Sequence, residues 1–204
     1  MSDMNAPSKK ALSEAERADS VESRDLAAGR RVLQLEARAL SRLAHELDEN
    51  FTTAVDVLAR TKGRIVVSGM GKSGHVGSKI AATLASTGAP AIFVHPAEAS
   101  HGDLGMITRD DALLVLSNSG ETTELSDMVQ FSKRYEIPMI AIVGRAGSTL
   151  AESADVALIM ADELEAGTLG LAPTTSTTMT LALGDALAVA LFERKQFSES
   201  DFHV

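Results

Sequence analysis

Five short apolar runs recur along the chain: Ile65-Val66-Val67, Ala91 to Val94, Ala112 to Leu116, Met139 to Val143 and Val156 to Met160. Runs of this length and texture have no polar side to offer water, so each reads as a strand covered on both faces. Helical stretches such as Gly74 to Ser86 and Thr122 to Tyr135 lie between them and supply the cover. The alternation predicts an α/β fold, a three-layer α/β/α sandwich built on a parallel sheet of roughly five strands. Ahead of the first strand, Val32, Leu33, Leu35, Leu40, Leu43, Ala44 and Leu47 fall at helical spacing, and Phe51 to Leu58 repeats the pattern, so two helices precede the sandwich. Residues 1–24 carry no clear apolar stripe and read as a flexible tail or an oligomer-contacting arm, leaving residues 25–204 as one domain with a helical arm.

Composition narrows the functional classes. A length of 204 residues suits one domain. The net charge of −9 repels nucleic acid and anionic membrane, so neither is expected as a partner. A small anion is a different matter, because amides and hydroxyls at a helix start hold phosphate whatever the overall charge. The chain has no cysteine, which removes disulfides, thiolate metal sites and a Cys nucleophile. Residues 1–20 lack the apolar segment of a secretory signal, and a cytoplasmic location is expected. The apolar stretch Met179 to Phe192 is interrupted by Thr180, Gly184 and Asp185 and falls short of the roughly 20 residues of a membrane span, so it reads as a buried helix.

In an open parallel sheet, ligands bind beyond the carboxyl ends of the strands, where loops enter helix N-termini. That rule selects Gly69 to Gly74, His95 to Asp103, Ser117 to Thr122, Gly144 to Ser148 and Asp162 to Thr178. Gly69-Met70-Gly71-Lys72-Ser73-Gly74 matches the G-x-G-x-x-G pattern of dinucleotide-binding turns. The acidic ribose ligand expected after the second strand is replaced by Val94-His95-Pro96, and a P-loop would need glycine at Val66. What survives is a glycine turn presenting Lys72 and Ser73 at a helix start. Ser117-Asn118-Ser119-Gly120-Glu121-Thr122 offers three hydroxyls and an open helix N-terminus, either an oxyanion cradle or an N-cap with surplus turn residues. Pro173 and the hydroxyl run Thr174 to Thr178 start the last helix, as an N-cap cluster or as a second set of donors to the same cleft.

Taken together, the Gly-x-Gly-Lys-Ser-Gly turn, Ser117 to Thr122, the segment Gly170-Leu171-Ala172-Pro173-Thr174-Thr175-Ser176 and the stretch His95 to Met106 resemble the D-arabinose 5-phosphate isomerases of the sugar isomerase (SIS) domain class. The resemblance covers about residues 30 to 204. It implies interconversion of D-ribulose 5-phosphate and D-arabinose 5-phosphate for synthesis of the lipopolysaccharide sugar Kdo, by a homotetramer that needs no cofactor. In longer members a pair of CBS domains follows, for which this chain has no room.

The resemblance also implies site residues. Lys72, Glu124 and Glu165 match a catalytic lysine and two catalytic glutamates, with Glu165 as the base that moves the proton. Substrate contacts fall on Gly71, Ser73, Gly88, His95, His101, Ser117, Asn118, Ser119, Thr122, Thr174 and Ser176. His95 is in addition a candidate site for an inhibitory divalent metal such as zinc, although two histidines without a third ligand make a poor structural site. The family's fourth catalytic group, a histidine opening a His-Pro-Gly-Gly motif after an Asp-Phe pair, would by its spacing follow Val204, and His203 is not assigned that role. His45 and His75 read as structural, and Asp185 as a buried hydrogen-bonding group. The rival to an isomerase is a non-catalytic SIS domain that binds sugar phosphate for regulation.

Overall fold

In the computed structural model, residues 9–167 and 169–195 are described, with side chains from residue 23 onward. Five parallel strands, β1 (Ile65–Gly69), β2 (Ala91–Phe93), β3 (Ala112–Ser117), β4 (Met139–Val143) and β5 (Val156–Ile159), form one sheet in the order β2-β1-β3-β4-β5. Side chains of successive residues leave opposite faces of the sheet. Val67, Leu114, Leu116, Ile140 and Ile142 enter a core shared with α1 (Lys9–Glu46), α2 (Glu49–Arg60), α3 (Gly71–Ser86) and α7 (Thr175–Arg194). Val66, Leu113, Val115, Met139, Ala141 and Val143 enter a second core with α4 (Pro96–Ser100), α5 (Ser126–Tyr135) and α6 (Thr149–Ser153). The three-layer sandwich expected from the strand texture is therefore present.

Two boundaries differ from expectation. Helix α1 begins at Lys9, so residues 9–24, expected as a flexible tail, are helical. Their alanine, glutamate, lysine and arginine content favours helix even without an apolar stripe. Helix α7 spans 20 residues and is by length and composition apolar enough to cross a membrane, longer than the apolar stretch suggested. Half of it is buried, against α1, α2 and α3, which is the signature of a core helix. Asp185 on α7 is half-exposed rather than buried and pairs with Lys79 of α3 at 2.5 and 2.7 Å. His45 and His75 are exposed on α1 and α3, so neither belongs to the core.

One buried hydroxyl is unpaired. Thr175, at the first turn of α7, is fully buried, and its Oγ1 is the buried side-chain polar atom without a hydrogen-bond partner among the described residues. A buried unsatisfied hydroxyl costs about 1–3 kcal/mol, and an apolar group of the same shape removes that cost. Thr175→Val is therefore expected to leave the melting temperature unchanged or to raise it by up to about 12 °C. A fall of several degrees in a thermal melt would refute the assignment.

The strand order places the site. The chain leaves β1 toward β2 through α3 on one face and leaves β3 toward β4 through α5 on the other. A crevice opens between the carboxyl ends of β1 and β3, at the point where the order reverses.

Candidate functional site

The crevice is lined by Met70, Lys72, Ser73, Asn118, Pro173, Ser176, Thr177 and Thr180 and encloses about 200 Å³. Three segments build it. The first is the β1–α3 turn, where Gly74 packs so tightly that a Cβ would lie 2.6 Å from the Gly69 carbonyl oxygen. Only a residue without a side chain lets α3 start this close to its strand, and that approach carries Lys72 and Ser73 to the crevice. Lys72 is exposed and Ser73 half-buried.

The second segment is the loop after β3. The Ser117 and Thr122 hydroxyls are hydrogen-bonded at 2.7 Å, the Gly120 amide donates to Ser117 Oγ at 3.1 Å, and the Glu121 amide donates to Ser119 Oγ at 3.2 Å. The loop is thus shaped internally by its own hydroxyls, and Asn118 presents at the crevice. Glu124 follows in a 3-10 turn, Thr123–Leu125, exposed and accepting the Thr123 hydroxyl at 3.1 Å.

The third segment runs from Glu165 to the start of α7. The Glu165 carboxylate accepts the Thr174 amide at 2.8 Å, the Thr174 hydroxyl at 3.1 Å, the Ser176 amide at 3.3 Å and the Ser176 hydroxyl. It caps the N-terminus of α7 from nine residues away, where a negative charge is favoured by the helix dipole. Burial pushes this carboxyl up, but the Ser176 hydroxyl, the two amides and the Thr174 hydroxyl outweigh it and hold Glu165 below the ordinary carboxylate range. Thr174 is further fixed by the Ala166 amide, which donates to its Oγ1 at 2.8 Å.

The structure brings Lys72, Ser73, Asn118 and Ser176 into one crevice and ties Glu165 to it through Ser176. Ser117, Ser119, Thr122 and Glu124 shape the adjoining loop, and Gly71 opens α3. Gly88 is not brought there. It follows the C-terminal end of α3, about 24 Å of helix from Lys72. His95 and His101 bracket α4 beyond β2 and do not line the crevice. His203 lies outside the described residues.

His95 has a local role, because its Nδ1 accepts the Ala97 amide at 3.3 Å as the N-cap of α4. In the neutral ring the proton then sits on Nε2, and the lone pair a divalent metal would take is engaged by a backbone donor. Among the described residues no group of three or more His, Cys, Asp or Glu side chains is placed to hold a metal. Both the engaged lone pair and the ligand count among the described residues weigh against a metal at His95.

Of the lining groups, Thr180 lies outside every loop selected from the sequence, while Met70 and Thr177 fall within Gly69 to Gly74 and the hydroxyl run Thr174 to Thr178 without being named as individual contacts. Ser176 and Thr180 are four apart on α7, and the Thr180 hydroxyl donates to the Ser176 carbonyl at 2.8 Å. A hydroxyl stripe at that spacing was the available signal for Thr180.

Residues 58–190 match the SIS domain, and the chain belongs to that family. It is 51% identical over 175 residues to arabinose 5-phosphate isomerase KdsD of Escherichia coli strain K12, covering 86% of this chain and 53% of that protein. To KdsD of Pseudomonas aeruginosa it is 54% identical over 172 residues, covering 84% of this chain and 53% of that protein. The chain thus spans about half the length of the curated relatives it matches. Among solved structures, a protein of E. coli CFT073 in complex with arabinose 5-phosphate superposes with a TM-score of 0.85 at 38% identity, covering 88% of this chain and 96% of that one.

Proposed function

We propose that this chain interconverts D-arabinose 5-phosphate and D-ribulose 5-phosphate. The observation that carries the reading is the crevice itself, which Lys72 and Ser176 both line, with the Ser176 hydroxyl donating to Glu165. The likeness to the KdsD proteins and to the arabinose 5-phosphate complex supports the substrate.

In the forward direction a base removes the proton from C2 of the open-chain aldose, giving an enediol, and the same proton is returned to C1 while the O2 hydroxyl becomes the ketose carbonyl. Glu165 is the base. Lys72, a cation on the crevice lining, offsets the negative charge that grows on the substrate oxygens. Glu124 serves as a second acid–base group for the hydroxyl protons. The hydroxyls and amides of Ser117 to Thr122 hold the phosphate, and Thr174 and Ser176 orient the sugar. Sugar-phosphate supply to Kdo and lipopolysaccharide synthesis, a cytoplasmic location and assembly as a homotetramer belong to the same proposal. Exposed apolar residues on α1, Leu26 and Leu33, together with Leu164, Leu169 and Leu171, support an assembly face.

A second reading has an observation of its own. Glu165 is engaged by four hydrogen bonds and held below its ordinary range, which weakens it as a base and suits a domain that binds phosphosugar for regulation. Incubation of the purified protein with ribulose 5-phosphate, with arabinose 5-phosphate followed chromatographically, separates the two. Turnover establishes the isomerase. Phosphosugar binding without turnover establishes the regulatory domain.

A further inference from the structure

The loop that follows β3 is fastened to the β4–α6 loop and to the first turn of α6. The Gly144 amide donates to the Asn118 carbonyl at 3.0 Å and the Leu150 amide to the Gly120 carbonyl at 3.0 Å. Between these two bonds, the Glu121 carboxylate accepts the Thr149 amide at 2.9 Å through one oxygen and the Thr149 hydroxyl at 2.7 Å through the other. The loops also touch where no side chain fits. Gly120 has φ of +69°, a region costly for other residues, and a Cβ there would collide with the side chain of Ser148. Ser148 is buried and immobilised in turn, donating to the Arg145 carbonyl at 2.8 Å while capping α6.

A carboxylate beside an anion cradle is a liability, since its charge opposes that of a phosphate. Here the charge is engaged elsewhere. The Thr149 hydroxyl, the Thr149 amide and the nearby Arg145 guanidinium outweigh a small desolvation and keep the exposed Glu121 below the ordinary carboxylate range, so it remains an acceptor for Thr149 near neutral pH. Glu121 is absent from the crevice lining while its neighbour Asn118 is part of it.

We infer that Glu121 is a positioning residue: by bridging to Thr149 it locks the loop Ser117 to Thr122 onto the start of α6, and so sets the affinity for the phosphate end of the substrate rather than the rate of proton transfer. This rests on the reading of Ser117 to Thr122 as the phosphate-holding loop. The bridge acts on ground state and transition state alike, because the phosphate does not change during isomerisation. Its loss therefore belongs in KM and not in kcat.

The test combines steady-state kinetics on ribulose 5-phosphate with calorimetric binding of inorganic phosphate. Glu121→Ala, which leaves no acceptor for Thr149, and Thr149→Val are each expected to raise KM and weaken phosphate binding by about threefold to tenfold, the range for one or two net hydrogen bonds. In both variants kcat stays within about twofold of the parent. The double variant is expected to be no worse than the poorer single one, since both remove the same bridge. Thr149→Ser, which keeps the hydroxyl, restores the parental KM. Unchanged KM and phosphate affinity in folded variants overturn the inference, as does a fall in kcat that matches the rise in KM. Should the parent bind phosphate without turning over while both variants bind it more weakly, the bridge stands and the isomerase falls. Turnover by the parent with variants indistinguishable from it leaves the isomerase and removes the bridge. A parent that neither turns over nor binds phosphate overturns both.

Discussion

Glu165→Gln is expected to lower kcat by about 10²- to 10⁴-fold, the contribution of a positioned general base, while phosphosugar binding survives. The amide matches the carboxyl in shape but cannot take a proton from carbon. It also disturbs the start of α7, because its NH₂ replaces an acceptor facing the donors of Thr174 and Ser176. A modest drop in melting temperature should accompany the loss of rate. The two effects separate by pH. Folded Glu165 lies below its ordinary value near 4.5, so its stabilising share is fully present above that value and is lost as pH falls through the depressed folded one. The Gln variant should lack that acid-side step in a pH series of thermal melts. Turnover near the parental rate would exclude Glu165 as the base. The four hydrogen bonds carry a mechanistic demand as well: the carboxylate gains basicity only when some of its donors, Ser176 foremost, turn to the bound sugar.

Lys72→Met is expected to cost about 10²- to 10³-fold in kcat, as for removal of one donor to a developing oxyanion. Methionine retains most of the apolar stem and removes the charge, so the loss reports electrostatics rather than packing. Affinity for inorganic phosphate should change far less, because the donors attributed to the phosphate lie on the loop after β3 and not on the β1–α3 turn. A matching collapse of phosphate binding would move Lys72 from the sugar oxygens to the phosphate. A kcat within a few-fold of the parent would return it to the status of a solvated lysine.

Much of the fold was legible because strand texture is a local signal. Met139 to Val143 is a strand from end to end, and the other four runs match their strands to within two residues at either end. Segments whose structure depends on capping were less legible. The stretch after His95 reads as a loop until His95 Nδ1 is seen closing the first turn of α4, and residues 9–24 lack the periodicity that marks a packed helix face although they are helical. For the site, the motifs led to Lys72, Ser73, Asn118 and Ser176 because each sits where a strand hands over to a helix or a helix begins. Glu165 bound to Thr174 and Ser176, and Glu121 bound to Thr149, could not be read from spacing. Glu165 reaches Thr174 and Ser176 across 9 and 11 residues of mostly irregular chain, and Glu121 reaches Thr149 across 28 residues that include α5 and β4, so no single helical or strand period relates the partners. Gly88 shows the converse, a residue carried over with a resemblance that the chain's own topology sets at the far end of α3.

The crevice draws on residues near 72, 118 and 176, so its outermost walls are separated by more than a hundred positions in the chain and meet only once β1, β3 and α7 are all in place. No fragment shorter than the whole sheet contains a rudimentary version of it. Loop closures of that span are slow and costly until the last one is made, and a bound anion then stabilises the finished fold alone, by mass action. The ligand is in this sense a late-arriving keystone, and its grip is a direct gauge of how much of the population has completed the sheet.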